Sequence, residues 1–306
     1  MKKILIVAGG YSKEREISLL TAASVCKELK KNKKYKILVK EPNGNFINEL
    51  RKFKPNLVFN LLHGRYGEDG YIQALLESEK VKYTHSGVLS SSLAIDKELS
   101  KKIFIKNKIL TPSYFKFIFK NNFNKKEIIK KIKRKFNFPV VIKPINEGSS
   151  VNVFICQQSN FIKNLLKLKS YGEILIEKFI PGREIQVAIL GKKKLGAIEL
   201  KPKRKFYDYQ AKYNPKAKTE HIIPVNISKK NYTKVNSIAL KAHNLLKCRG
   251  VTRSDFRFYK NKFYLLEINT QPGMTSLSLV PEIARHRKIS FYQLIEEIMN
   301  DASINK

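Results

Sequence analysis

The sequence predicts a mixed α/β protein: an N-terminal parallel α/β domain, a small central α+β domain and a C-terminal α+β domain built on an antiparallel sheet. Three observations predict it. Over the first third, short apolar runs alternate with helical apolar stripes, the pattern of a parallel layer. The middle third mixes isolated strand-like runs with one strongly basic helical stretch, and the last third holds two pairs of strand-like runs at hairpin spacing. At 306 residues the chain exceeds what one core serves, because single cores stop growing near ~250–300 residues. The boundaries are set at 1–92, 93–180 and 181–306.

The elements follow in order. Ile4–Ala8, Ile37–Val39 and Leu57–Leu62 are predicted strands. Ala22, Val25, Cys26 and Leu29 form a helical stripe between the first two, and Ile72, Leu75 and Leu76 form another after the third. Gly9-Gly10 and the segment from His63-Gly64 to Gly70 fall just beyond strand ends, where open α/β sheets bind ligands. A helix is predicted from about Leu93 to Lys106, and strands at Tyr114–Ile118, Val140–Lys143, Val151–Ile155 and Ile174–Glu177. In the basic run 125–135, Ile128, Ile129, Ile132 and then Phe136 share one face, so it reads as a solvated helix packed on its isoleucines. The hairpins are Glu184–Leu190 with Leu195–Leu200, and Val251–Tyr259 with Phe263–Asn269. Between them, 201–219 is rich in Lys, Tyr and Pro without periodicity, the mark of a functional lid or a disordered loop.

Composition narrows the class. Lys and Arg number 61 against 25 Asp and Glu, a formal charge of +36, yet 42% of residues are hydrophobic, which excludes a disordered basic tail. Such a charge fits a nucleic-acid or anionic-membrane partner, or a lysine-decorated enzyme surface. Cys26, Cys156 and Cys248 lie far apart with no CxxC pair, which argues for a reducing compartment, the cytoplasm. The apolar run Ile4–Ala8 is shorter than the roughly 7–15 residues of a signal-peptide core. No run approaches the ~18–20 apolar residues of a membrane span.

The second hairpin carries the strongest chemical signal. Side chains alternate along a strand, so Arg253 shares a face with Asp255, and Glu267 with Asn269. A turn centred on Asn261 pairs residue 255 with residue 267 and gathers Asp255, Glu267 and Asn269 into one patch of hard oxygen donors suited to Mg²⁺. The neighbours Phe256, Phe258, Leu266 and Ile268 are apolar, so at least one face of the hairpin is buried. Gly273, in the following segment, permits close approach of a backbone N–H to a ligand. The loop Glu147-Gly148-Ser149-Ser150 after Lys143-Pro144 suits phosphates, although an ordinary turn reads as well and the spacing fits neither Walker A nor GxGxxG. Lys97 and Lys143 are cations able to neutralise nucleotide phosphates.

Taken together, these blocks resemble the D-alanine–D-alanine ligases of the ATP-grasp superfamily over nearly the whole length. In family order stand Gly9-Gly10-Tyr11-Ser12-Lys13-Glu14-Arg15-Glu16-Ile17-Ser18 and His63-Gly64-Arg65-Tyr66-Gly67-Glu68-Asp69-Gly70. Val141-Ile142-Lys143-Pro144 with Glu147-Gly148-Ser149-Ser150 comes next, followed by Phe206-Tyr207-Asp208-Tyr209-Gln210-Ala211-Lys212-Tyr213. Arg253-Ser254-Asp255 and the run from Leu266-Glu267-Ile268-Asn269 to Thr275 complete the series.

The resemblance implies an ATP-grasp fold and the ATP-dependent joining of two D-alanines through an acyl phosphate, for peptidoglycan synthesis. It implies that Asp255, Glu267 and Asn269 hold two Mg²⁺ or Mn²⁺, and that Lys97, Lys143 and Lys212 contact phosphates. Glu177, Lys178, Ile180 and Glu184 match adenine and ribose contacts. Glu14 and His63 fall on the first D-alanine; Arg253 and the Gly273 N–H on the oxyanion; Ser278 and the Leu279 amide on the carboxylate of the second D-alanine. Ser149 and Tyr213, linked to Glu14, would close 201–219 as a water-excluding lid. Tyr213, where D-lactate-using relatives carry Phe, implies an amine nucleophile. Tyr11 and Ser254 depart from the usual family residues at positions without an assigned role.

A homodimer is a further family expectation. Two readings stand beside it: another ATP-grasp carboxylate–amine ligase, and a basic nucleic-acid-binding protein. The second explains neither the Asp255, Glu267, Asn269 grouping nor the Glu68-Asp69 pair, and the chain shows no RNP, KH or helix-turn-helix pattern. Neither nucleic acid nor membrane is expected as a partner.

Overall fold

The structure is a computed structural model that describes residues 1–306 except 121, 149–150, 203–218, 276–277 and 305–306. Its first sheet is parallel, in the order β2-β1-β3, from β1 (Lys2–Val7), β2 (Tyr35–Lys40) and β3 (Leu57–Asn60). Every residue of β3 is buried, as a strand covered on both faces requires. Helices α1 (Arg15–Leu29), α2 (Phe46–Phe53) and α3 (Tyr71–Ser78) flank it, and α1 buries Ala22, Val25 and Leu29, three of the four predicted stripe residues.

The helix predicted over 93–106 is two helices, α4 (Val88–Ile95) and α5 (Lys97–Lys106). Asp96 separates them: its backbone is extended, and its side chain accepts from the Glu98 and Leu99 amides at 2.9 and 2.8 Å. A short acceptor side chain satisfies amides that a new helix leaves open, so it starts α5 rather than continuing α4. Lys97 is thereby the first residue of a helix.

An antiparallel sheet follows, in the order β4-β7-β5-β6, from β4 (Tyr114–Ile118), β5 (Val140–Pro144), β6 (Phe154–Cys156) and β7 (Glu173–Lys178). The strand predicted from Val151 begins three residues later, because 151–152 are in a turn. Helices α6 (Lys125–Lys135) and α7 (Gln158–Lys167) cover one face. In α6 only Ile128 and Ile132 are buried, packed in a cluster with Phe115, Val140, Ile142, Phe161 and Ile176. The other α6 side chains are exposed apart from the half-buried Ile129. The run is therefore a solvated helix on an isoleucine stripe.

The third sheet is antiparallel in the order β10-β9-β8-β11-β12. Its strands are β8 (Arg183–Leu190), β9 (Lys193–Lys201), β10 (Glu220–Ile222), β11 (Val251–Tyr259) and β12 (Lys262–Asn269). Both predicted hairpins are present, with Asp255 opposite Glu267 and Arg253 opposite Asn269. A bulge after Asp255 pairs Phe256 with Leu265. Leu265, Phe256 and Ile268 are accordingly buried, whereas Leu266, expected on the apolar face, is half-buried beside Glu267. One extra residue in a strand re-aims the side chains that follow.

Helix α8 (Lys229–Leu245) packs on this sheet, and α9 (Leu279–His286) and α10 (Phe291–Asn300) close the chain. The largest apolar cluster is shared between the two ends of the sequence, joining Ile4, Ile6, Val25 and Phe59 to Leu190, Ile283, Leu294 and Ile298. None of the described helices is long and apolar enough to cross a membrane.

Candidate active site

The second and third sheets face each other across a cleft of about 740 Å³, measured with its open mouth. It is lined on one side by Val141, Lys143, Val153 and Glu177, and on the other by Glu184, Asp255, Leu266 and Glu267, with Phe179 and Ile180 in the connection. An apolar slot with charged groups at one end suits a planar base bearing phosphates.

Glu177 is buried on β7, with Oε1 2.6 Å from Lys143 Nζ and Oε2 3.1 Å from Lys101 Nζ. Burial alone would raise its carboxyl pKa, but the two ammonium groups outweigh it and hold the group below the usual carboxylate range. Oε2 meets Lys101 as a buried ion pair, while Oε1 accepts from Lys143 on the cleft wall. A buried carboxylate whose cleft-side partner can turn to another anion suits a ligand amine. Glu184 is held by Arg257 Nη1 at 3.2 Å and by the Gln186 amide at 3.4 Å. The Ile180 carbonyl accepts from Arg257 Nε at 3.1 Å. Lys178 borders the cleft with an exposed side chain.

The hairpin brings the predicted oxygen donors together. Asp255 is buried, and Arg253 grips both its oxygens at 2.8 and 2.9 Å. Glu267 lies 3.5 Å from Lys97 Nζ, and Asn269 Oδ1 accepts from the Gln271 amide at 2.7 Å. No group of three His, Cys, Asp or Glu that could hold a metal occurs among the described residues. Two carboxylates and an amide still fit a hard cation, since Mg²⁺ is usually held by one or two carboxylates plus substrate phosphates.

Lys97 connects this patch to the rest. It donates to the Glu147 carbonyl as well as facing Glu267. The next residue, Gly148, is so close to Glu14 that a Cβ there would lie 3.3 Å from Oε2. Glu14 precedes α1 and is buried, but its side chain does not cap the helix; it lies against Gly64, where a Cβ would meet Oε2 at 2.7 Å. The two glycines give the carboxylate its room. His63, buried beside Gly64, contacts Glu68 at 3.4 Å through Nδ1 and Thr21 at 3.2 Å through Nε2.

After β12 the chain returns to this corner. Gln271 accepts from Asn60 Nδ2 at 2.8 Å and donates to the Leu62 carbonyl. A Cβ on Gly273 would sit 3.0 Å from Ser278 Oγ. Ser278 is the N-cap of α9 without a side-chain capping bond; its hydroxyl instead accepts from the Thr275 amide at 3.0 Å. The first amides of α9, Leu279 included, thus keep the anion preference of a helix N-terminus.

Lys97, Lys143, Glu177, Lys178, Ile180, Glu184, Asp255 and Glu267 therefore line one cleft, with Arg253 and Asn269 on the same hairpin; Glu14 is reached through Glu147 and Gly148, His63 stands next to Gly64, and Gly273, Ser278 and Leu279 follow the hairpin in sequence. Ser149, Lys212 and Tyr213 lie outside the described residues. Sequence reasoning missed Lys101, Gln271 and the contact of Glu68 with His63. For Lys101 a signal existed: four residues after Lys97 on a helix, it shares that face.

Comparison with known proteins agrees with this geometry. Residues 104–300 match the family described as D-ala D-ala ligase C-terminus. A D-alanine--D-alanine ligase of Pelagibacter ubique is 65% identical over 305 residues, covering 100% of this chain and 99% of its own. One from Wolbachia pipientis wMel is 42% identical, covering 99% and 95%. Among solved structures, D-alanine--D-alanine ligase from Bacillus anthracis, complexed with ATP, superposes with a TM-score of 0.84 at 29% identity, covering 98% of this chain and 97% of its own. With a family match across most of the chain and relatives alike along its whole length, this protein belongs to the D-alanine–D-alanine ligase family of ATP-grasp enzymes.

Proposed function

We infer that the protein ligates two D-alanines to D-alanyl-D-alanine at the expense of ATP, for peptidoglycan synthesis. The observation that carries this is the continuous line of contacts from the base-sized cleft, past Asp255 and Glu267, through Lys97 and Glu147 to the buried Glu14. A nucleotide and a small amino acid held at its two ends would meet at Lys97.

The residue roles follow as proposals. Glu177 accepts from the adenine amine, Ile180 and the backbone near Lys178 border the base, and Glu184 binds the ribose. Lys97, Lys143 and Lys212 take the phosphates. Glu14 holds the ammonium of the first D-alanine, with His63 beside it, so that its carboxylate attacks the γ-phosphate and ADP leaves. Ser278 and the Leu279 amide hold the second D-alanine by its carboxylate, so that its neutral amine attacks the acyl phosphate and the tetrahedral intermediate then expels inorganic phosphate and loses the amine proton. Arg253 and the Gly273 N–H stabilise the resulting oxyanion; one such donor is worth about 3–4 kcal/mol. Ser149 and Tyr213 close the segment 201–219 over the acyl phosphate, and Tyr213 favours an amine over a hydroxyl.

Asp255, Glu267 and Asn269 would hold two Mg²⁺ or Mn²⁺. Bound there, the ions spread the phosphate charge that develops during transfer. We further propose the division 1–92, 93–180 and 181–306, a homodimer, and a cytoplasmic location.

The test is phosphate release by the purified protein. Release that requires ATP, a divalent metal and D-alanine together, with dipeptide as product, is expected. Release with another amino acid but not D-alanine would leave the ATP-grasp chemistry standing and overturn the substrate.

A further inference from the structure

We propose that Lys101 is a positioning residue for nucleotide recognition, holding the Glu177 carboxylate in place from beneath the cleft so that its orientation survives when Lys143 turns to phosphate. The proposal rests on the reading of Glu177 as the adenine contact.

Lys101 is fully buried, so it cannot touch the nucleotide itself. Its Nζ donates to Thr111 Oγ1 at 2.6 Å, lies 3.1 Å from Glu177 Oε2 and sits 5.7 Å from the centre of the Tyr114 ring. Lys143 takes the other oxygen, Oε1, at 2.6 Å. One carboxylate therefore carries two ammonium groups, one more than neutrality needs. Burying a charge is costly unless it is paired, and removing one partner of a buried pair exposes the other to that cost.

The second lysine has a use if Lys143 is not a permanent partner. Lys143 lines the cleft, and a triphosphate competes for it with Glu177. Lys101 has no such competitor: Thr111 and the Tyr114 ring fix it on the closed side. When Lys143 engages phosphate, Glu177 keeps its charge and its angle, held at Oε2 by Lys101, and Oε1 is left to accept from the base amine.

Helix α5 makes this division possible. Lys97 and Lys101 are four residues apart on one face, and the Asp96 cap fixes where that face points. The upper lysine reaches Glu147 and Glu267, the lower one Thr111 and Glu177. Burial pushes the Lys101 ammonium down to about 8, with Glu177 opposing the shift and Lys143 adding to it.

The experiment compares full-length Lys101→Met with wild type in steady-state kinetics, using ATP and purine riboside triphosphate, which lacks the base amine. Expected is an ATP KM raised about tenfold, the effect of losing one hydrogen bond to a charged group. The preference for ATP over the analogue should shrink by a similar factor, while kcat changes little and both D-alanine KM values hold. A folded Lys101→Met with wild-type ATP KM and preference overturns the proposal, as does a loss confined to kcat. Glu177→Gln is run alongside. If it too leaves the preference unchanged, the reading of Glu177 has failed, not only that of Lys101. Should Lys101→Met not fold, Thr111→Val and Thr111→Ser decide: a raised ATP KM in the first and a normal one in the second supports the role, and equal values overturn it.

Discussion

His85 shows what a single side chain can do to this protein's response to acid. It is fully buried with φ 68°, and neither ring nitrogen has a hydrogen-bond partner among the described residues. Burial, with His63 and Arg249 nearby, pushes its pKa down to about 3, and burial pushes His243 down to about 4. Unfolded histidines take up a proton near pH 6.5, whereas these two refuse it in the folded state. Stability is therefore complete above pH 6.5 and falls as pH drops toward 4, by up to about 1.4 kcal/mol per pH unit for each group. Denaturant titrations of wild type and His85→Gly between pH 7 and 4.5 should show a shallower slope in the variant; equal slopes would assign the effect elsewhere. At the catalytic end, Arg253→Met should lower kcat about 10²–10³-fold in the phosphate-release assay, as loss of an oxyanion donor does. Glu267→Gln should raise the Mg²⁺ concentration needed for half-maximal activity. Residues of this second kind were legible in the sequence because hairpin alternation and block order pick them out. His85 was not, because burial without an apolar side chain leaves no trace in a hydrophobic pattern; Lys101 left only the weaker trace of helical spacing from Lys97.

Helix α6 separates charge from stability. Ile132→Ala should destabilise the protein by about 2–4 kcal/mol, the cost of a large-to-small change in a packed core. Converting Lys126, Lys130 and Lys133, all exposed, to Gln should stay within about 0.5 kcal/mol of wild type. Thermal or urea unfolding measures both; a larger loss from the lysines would mean the exposed face has partners. The isoleucine spacing made this helix legible. The break at Asp96 was harder to see, because the apolar pattern continues through it, and only the capping chemistry of one side chain divides α4 from α5. The bulge after Asp255 was invisible for a related reason: alternation gives the register of a regular ladder, and an extra residue shows only once partner strands are paired.

For the whole molecule, the charge of +36 acts at long range. Exposed lysines raise the local concentration of an anionic nucleotide, so the ATP association rate should fall as salt rises from 50 to 500 mM, while a rate indifferent to salt would remove this role. Stopped-flow binding reads it directly. The three sheets were legible from shifts in pattern along the sequence, but the packing between them was not, because which apolar faces meet is decided across hundreds of residues. The cluster shared by β1, α1, α9 and α10 bears on how the protein folds. Ile4, Ile6 and Val25 share it with Leu294 and Ile298, far along the chain. Contacts this distant in sequence meet their loop-closure entropy before they are rewarded, so the first sheet gains its full cover late in folding and stays incompletely packed until then.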